Sequence, residues 1–277
     1  MPSRIPLSRE NDLASNLSAG GEGVGPYEGL VPPGGAAAVV KAAFDSCLAV
    51  LLLVVAAPLV LVCAVLVRLT SRGPAFYSQL RLGVGGRPYW IFKLRTMYHR
   101  CEEKSGPRWS QKGDPRVTPV GRFLRRTHLD ELPQLWNILR GEMSLVGPRP
   151  ERPEFAPKLA DAVPLYGRRL LVRPGVTGLA QVQLPADSDL EGVRIKVAYD
   201  LYYIRNGGLW LDLRILLATA LKVFGAPFRL IFTVCRFPER SAVENGYRDL
   251  QQRAATAEPE APVPAPPVVA ARLFPAQ

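Results

Sequence analysis

The chain has 277 residues, 48% of them apolar, enough for one or two domains with a core and too many for a disulfide-held mini-scaffold. Thirty-five Lys and Arg against twenty-four Asp and Glu give a net charge of +11, which points to nucleic acid, an anionic membrane surface or a phosphorylated substrate. A pI of 9.8 joined to a mean hydropathy of +0.05 leans away from nucleic-acid binders, whose basic surfaces are polar, and toward lipid headgroups; no nucleic-acid partner is expected.

Both ends are slightly acidic, so residues 41–240 hold thirty basic and sixteen acidic side chains, a net +14. Residues 1–37 are rich in Ser, Gly and Asn and residues 241–277 end in an Ala/Pro alternation; both are expected to be disordered tails. Residues 38–70 form the membrane segment. Within it Ser46–Val67 carries no charge and, as a helix of about 33 Å, is long enough to cross a bilayer. Pro58 falls near its middle, removing one backbone hydrogen bond. A kinked single span and a re-entrant helix broken at Pro58 both fit, and Lys/Arg counting places everything after Val67 in the cytoplasm. Cys47, Cys63, Cys101 and Cys235 make no disulfide framework or metal spacing, which fits a reducing compartment. His99 and His128 lack metal-binding neighbours and read as ordinary polar side chains.

Residues 71–225 are expected to be the catalytic domain. FYSQL and YWIFKL flank LGVGGRP, whose glycines and proline mark a turn, so a short β-hairpin is predicted over residues 76–94. Its glycines lack the strand-to-helix order of a dinucleotide fingerprint. Lys93 and Arg95, in the second strand and just after it, are substrate contacts or plain surface charges.

Farther on, Leu132, Leu135, Trp136 and Leu139 recur at i, i+3, i+4 and i+7, an amphipathic helix that Gly141 stops. Pro133 belongs in its first turn, so the helix is predicted to start at Asp130–Glu131, with both carboxylates at the positive end of its dipole. Alone, the pair is an N-cap and a first-turn acid. Arg122, Arg125 and Arg126 before it and Arg149 after it surround the two acids with guanidiniums, which hold a carboxylate ionised and offer forks to phosphate. An ionised Asp130 there is suited to attack phosphorus.

RPGVTGLAQV (173–182) reads as a turn with a strand-like tail, in which Arg173 serves the site or braces the turn. Residues 193–206 form an amphipathic helix carrying Asp200 amid Tyr199, Tyr202 and Tyr203, either a packed aromatic face or a catalytic position. LWLDLRILLATALKVF (209–224) is too short and too charged to span a membrane and suits an interfacial helix; residues 226–240 repeat the theme with Arg229 and Arg236 as a possible second anchor.

In order, GPAFYSQLRLGVGG, FKLRTM, the long DPRVTPVGRFLRRTHLDELPQLWNILRGEMSLVGPRPERPEF, RPGVTGLAQV and YDLYYIRNGGLWLDLRILLATALKV resemble the bacterial sugar transferases, over residues 41–224. These are monotopic polyprenyl-phosphate phosphoglycosyl transferases that start glycan assembly on a lipid carrier. The resemblance implies a mostly helical α+β fold and the short form of the family, without a multi-span N-terminal domain. It implies a catalytic pair, with Asp130 the nucleophile that takes sugar-1-phosphate from a UDP-sugar, releasing UMP, and Glu131 its partner, a base for the incoming polyprenyl phosphate. Mg²⁺ is the implied cofactor, with Asp130 as its contact. Arg125, Arg149 and Pro150 are assigned to the phosphate and uridine side.

The resemblance further implies a re-entrant helix broken at Pro58, a location at the bacterial inner membrane with the catalytic domain on the cytoplasmic face, and membrane lipid and downstream glycosyltransferases as partners. The product would enter exopolysaccharide, capsule, O-antigen or glycoconjugate synthesis. Two positions depart from the family pattern: Ala57 stands where many relatives carry serine, and Leu179 where tryptophan is usual. A hydrolase that passes the same aspartyl phosphate to water and a non-catalytic membrane scaffold are the alternatives.

Overall fold

The computed structural model describes residues 34–103, 108–111, 113–185 and 189–256, with Leu30 and Gly106. It is a mostly helical α+β protein. Its first element, α1 (Gly35–Thr70), includes a window of mean hydropathy 3.2, long and apolar enough to cross a membrane by length and composition. The break expected at Pro58 does not occur, and the helix runs unbroken through it. Pro58 leaves the Val54 carbonyl without its helical donor, but a stripe of Asp45, Ala49, Ala56, Cys63, Ala64 and Val67 is buried on both sides of it. Packing along one face holds both halves in line. The rest of the surface, including Val50, Leu51, Val54, Val55, Leu61 and Val62, is exposed and apolar.

Where α1 ends, Ser71 returns its N–H and hydroxyl to the Val67 carbonyl at 3.2 and 3.0 Å. Arg95 completes that end. Its guanidinium donates to the carbonyls of Ser71, Arg72, Gly73 and Pro74 at 2.5–3.2 Å, and the side chain is buried. The expectation that Arg95 contacts substrate is therefore corrected: its donors are committed to the backbone that leaves the membrane helix. Losing them removes hydrogen bonds from a charged donor, each worth roughly 1.5–3 kcal/mol. Arg95→Met should lower the thermal unfolding midpoint by several degrees, as measured by thermal unfolding in detergent.

Strands β1 (Phe76–Leu82) and β2 (Pro88–Leu94) form the predicted antiparallel hairpin, paired from Phe76↔Leu94 to Leu82↔Pro88. Helix α2 (Pro119–Thr127) follows, capped by the Thr118 hydroxyl, which accepts from Gly121 N at 2.9 Å. Gly121 is required by close approach, since a Cβ there would lie 2.0 Å from the Thr96 carbonyl oxygen. A 3₁₀ turn, Leu129–Gln134, leads into the short helix α3 (Leu135–Leu139). Strands β3 (Ser144–Val146) and β4 (Gly175–Thr177) pair in parallel, and between them lie α4 (Ala156–Ala162) and a 3₁₀ segment, Tyr166–Leu171.

The main core gathers Ile91, Leu135, Ile138, Met143, Leu145, Leu179, Leu201, Ile204 and Ile215 from the hairpin, α3, β3, α5 (Leu179–Gln183), α6 (Leu190–Asn206) and α7 (Leu209–Val223). Leu179, standing where the family usually has tryptophan, is 2% exposed, an apolar core position. Helix α8 (Phe228–Cys235) folds back on α7, and Arg214 of α7 donates to the carbonyls of Cys235 and Arg236 at its end. Leu209, Trp210, Leu213, Leu217, Phe224, Phe228, Leu230 and Val234 remain exposed on this hairpin.

One expectation about the C-terminus is overturned. Residues 241–256 belong to a helix, α9 (Arg240–Thr256), packed on α6 through Val243, Tyr247 and Leu250. The Tyr247 hydroxyl donates to the Pro164 carbonyl at 2.6 Å. Residues 257–277, and most of the tail expected over 1–37, lie outside the described residues; Gly35, Ala36 and Ala37 already belong to α1.

Candidate active site

Alternation along β2 puts Tyr89, Ile91 and Lys93 on one face of the hairpin. Lys93 points its ammonium at Glu131, with Nζ 2.7 Å from Oε1. The acid pair reaches this position through a sharp reversal. Helix α2 ends at Thr127, and His128 adopts a left-handed conformation (φ 57°), which turns the chain back on itself. Asp130 and Glu131 then lie in the 3₁₀ turn Leu129–Gln134, not at the start of a regular α-helix as predicted. Pro133 inside that turn has no N–H to give, and regular helix begins only at Leu135. A helix dipole therefore does little for this pair, and its electrostatics come from side chains.

The third component arrives on the loop after β3. Arg149 donates from Nη2 to Glu131 Oε1 at 2.6 Å and from Nη1 toward Oε2 at 3.4 Å. The loop can pass close to β4 because Gly147 has no side chain: a Cβ there would lie 2.4 Å from the Arg173 carbonyl oxygen. Arg81 of β1 donates to the Pro150 carbonyl at 3.0 Å, and Leu82 N to the Glu151 carbonyl at 3.0 Å, so the hairpin holds the far side of the same loop. Asn137, fully buried on α3, pairs with β2 as a neighbouring strand would. Its Oδ1 accepts from Phe92 N at 3.1 Å and its Nδ2 donates to the Trp90 carbonyl at 2.7 Å.

These contacts divide the labour of the two acids. Burial raises the proton affinity of Glu131, but Arg149 and Lys93 more than reverse it and hold its carboxyl well below the usual carboxylate range. Asp130 goes the other way: burial and the adjacent Glu131 charge push it up, against Lys93, Arg125 and Arg149. Among the described residues no hydrogen bond or ion pair reaches the Asp130 carboxylate. The site thus presents one unengaged carboxylate beside a second that is locked between two cations.

The sign for stability follows. The stability contributed by Asp130 is present below its unfolded pKa and lost as pH rises through its raised folded value. Asp130→Asn should therefore raise the melting temperature at pH 7 by about 1–3 °C, and the gain should vanish near pH 4, as followed by thermal unfolding in detergent.

The sequence pattern of the bacterial sugar transferases matches residues 36–226, well over half of the chain. The chain belongs to the bacterial sugar transferase family. Curated relatives include a UDP-N-acetylgalactosamine-undecaprenyl-phosphate N-acetylgalactosaminephosphotransferase of Aeromonas hydrophila, 43% identical over 68% of this chain and 45% of the relative. A UDP-glucose:undecaprenyl-phosphate glucose-1-phosphate transferase of Xanthomonas campestris is 42% identical over 68% of this chain and 39% of its own length. An enzyme of the same name from Caulobacter vibrioides is 46% identical over 65% of this chain and 67% of the relative. The chain thus spans less than half the length of the first two relatives.

In this member of the family, Lys93, Asp130, Glu131 and Arg149 come together as described. Arg125 stands close enough to act electrostatically on Asp130, and its guanidinium is held by the hydroxyls of Thr96 at 2.8 Å and Ser110 at 2.7 Å. Pro150 is buried and enters through its carbonyl, bound by Arg81. Among the described residues no hydrogen bond or ion pair engages the Arg173 side chain; its carbonyl lies against Gly147, and the neighbouring Pro174 carbonyl accepts from Ser144 N at 2.9 Å.

Sequence reasoning missed Arg81 and Asn137, which hold the site without touching the acids. It also missed a charged network in which Arg116 binds Asp114 at 2.6 Å and Glu102 at 3.2 Å, while Arg152 binds Glu102 at 3.2 Å. That network ties Glu102, Asp114 and Arg116 to Arg152, at the far end of the loop bearing Arg149. Asn137 interrupts the apolar run of Leu135, Trp136, Ile138 and Leu139, and that was the available signal for it; the Arg81 and Glu102 contacts are long-range and left none.

Proposed function

We propose that this protein transfers sugar-1-phosphate from a UDP-sugar to a membrane polyprenyl phosphate, releasing UMP, through a covalent aspartyl-phosphosugar on Asp130. The observation that carries this reading is the asymmetry of the acid pair. In the first half-reaction an Asp130 oxygen forms a bond to the sugar-bearing phosphorus, the bridging P–O bond breaks, and its electrons leave with UMP. In the second, an oxygen of polyprenyl phosphate attacks the same phosphorus and returns Asp130 as a free carboxylate.

Lys93 and Arg149 neutralise the diphosphate, and Glu131 orients both. A carboxyl held that far down is a poor proton acceptor, so Glu131 acts here as their counter-ion, not as the base the family resemblance suggested. Arg125 stands where it steadies the charge developing beside Asp130.

Mg²⁺ suits this donor set. No cluster of three acidic, His or Cys ligands occurs among the described residues. A cation bound by one carboxylate, substrate phosphates and water is a common arrangement for Mg²⁺, and Asp130 is the unengaged carboxylate. When bound, the ion would neutralise phosphate charge.

A lipid acceptor and a soluble donor must meet at headgroup depth. The apolar flank of α1 and the exposed apolar residues of the α7–α8 hairpin provide that contact with membrane lipid. Packing of α1 along the domain on both sides of Pro58 supports a monotopic arrangement, and the excess of Lys and Arg after Val67 supports a site on the cytoplasmic face of the inner membrane. The test is a UMP-release screen across UDP-sugars with undecaprenyl phosphate and Mg²⁺. Release with at least one of UDP-glucose and UDP-N-acetylgalactosamine, dependent on detergent or lipid, is expected. Release with neither would reject the assignment for the donors of the curated relatives.

A further inference from the structure

Arg149 must be held in place by something other than Glu131, because a guanidinium that is to serve phosphate cannot take its position from the carboxylate alone. Its own main chain supplies the handle. Arg169, 9% exposed in the 3₁₀ segment Tyr166–Leu171, donates from Nη2 to the Arg149 carbonyl at 2.9 Å. The same guanidinium is oriented by Asp200 on α6, 3% exposed, whose Oδ2 accepts from Arg169 Nε at 3.1 Å and Nη2 at 2.7 Å. Nη1 reaches the Tyr166 hydroxyl at 3.2 Å, and the guanidinium carbon lies 5.2 Å from the centre of that ring. The planar fork is thereby engaged on each of its edges. One turn farther along α6, the Tyr203 hydroxyl lies 2.7 Å from Asp212 Oδ1 and 3.1 Å from the Val146 carbonyl, so the same helix also abuts the start of this loop.

We infer that Arg169 and Asp200 are positioning residues for catalysis: they set the Arg149 backbone, and through it the distance from the Arg149 guanidinium to Glu131 and the donor phosphates. A buried ion pair adds little net stability, so the consequence of this one lies in what its fork orients. The inference rests on the reading of Arg149 as part of the reaction machinery.

A double-mutant cycle separates positioning from general support of the fold. Arg169→Lys keeps the charge opposite Asp200 but lacks the fork that reaches the Arg149 carbonyl at the same time; Asp200→Asn is the second variant. UMP release with undecaprenyl phosphate and UDP-glucose or UDP-N-acetylgalactosamine is measured for each, alone and combined with Arg149→Ala. Each single variant should lower kcat/KM about tenfold, and within Arg149→Ala each should change it by less than about twofold. Losses that multiply would overturn the inference.

A second reading needs no substrate. Backbone hydrogen exchange at Gly147, Arg149, Glu151 and Arg152 should quicken in Arg169→Lys, while α6 and α9 keep the wild-type pattern. Unchanged exchange in this loop, or quickening spread over the whole domain, would overturn the inference. A protein that turns over neither donor yet shows the localised change would reject the functional assignment and leave the positioning intact.

Discussion

Asp130→Asn is expected to lose at least about 10³-fold in UMP release, with or without undecaprenyl phosphate, because the substituted amide cannot form the acyl phosphate. The substitution is nearly isosteric and sits in a 3₁₀ turn whose carboxylate makes no hydrogen bond or ion pair among the described residues. No structural contact is lost with it, and the release of a buried charge should leave the variant slightly more stable than the parent at neutral pH. Loss of turnover with retained or raised stability assigns the effect to chemistry. A variant that stays active would remove Asp130 as nucleophile and direct attack by the acceptor would take its place.

The second large effect belongs to Arg149. Arg149→Ala removes the 2.6 Å partner of Glu131 and, on the proposed reading, a guanidinium that neutralises the donor phosphates, and a loss of about 10²–10³-fold in kcat/KM is expected. Lysine at this position should recover only part of it, since an ammonium is a single donor centre without the planar two-nitrogen fork that meets the two Glu131 oxygens. Glu131→Gln gives the complementary result. It keeps the shape but frees Lys93 and Arg149 from their shared anion, so the donor KM should rise more than kcat falls. If Glu131 were instead the base for the acceptor, the second half-reaction alone would slow, and UMP release without acceptor would keep its rate. Rapid-quench measurement of the two half-reactions separates these outcomes.

Much of the site was legible in the sequence because its parts are local. Asp130 and Glu131 are adjacent, and the hairpin that carries Lys93 was signalled by the glycines and proline between two apolar runs, though nothing there separated Lys93 from a plain surface charge. The helix expected to begin at the acid pair was misjudged because Leu132, Leu135, Trp136 and Leu139 give the same spacing whether or not the first turn is α-helical; Pro133 and the left-handed His128 decide it. Helix α9 was hidden by the Ala/Pro composition of the residues after it, although Val243, Tyr247 and Leu250 stand at i, i+4 and i+7. Arg95 could be read as a substrate contact or a surface charge because an arginine just after a strand gives no sign of the four carbonyls that surround it. The unbroken course of α1 past Pro58 depends on a buried stripe whose partners are distant in sequence, among them Leu94 and Leu124 beside Cys63 and Val67, and Ser144 on Asp45.

The central claim is a covalent intermediate on one carboxylate, and intact-protein mass measurement tests it most directly. Incubation with a UDP-sugar and Mg²⁺, without acceptor, should add the mass of one sugar phosphate to the protein with one UMP released for each adduct. The adduct should map to Asp130, be absent from Asp130→Asn, and disappear when undecaprenyl phosphate is added. UMP that appears only after the acceptor is present, with no mass gained beforehand, would contradict the account.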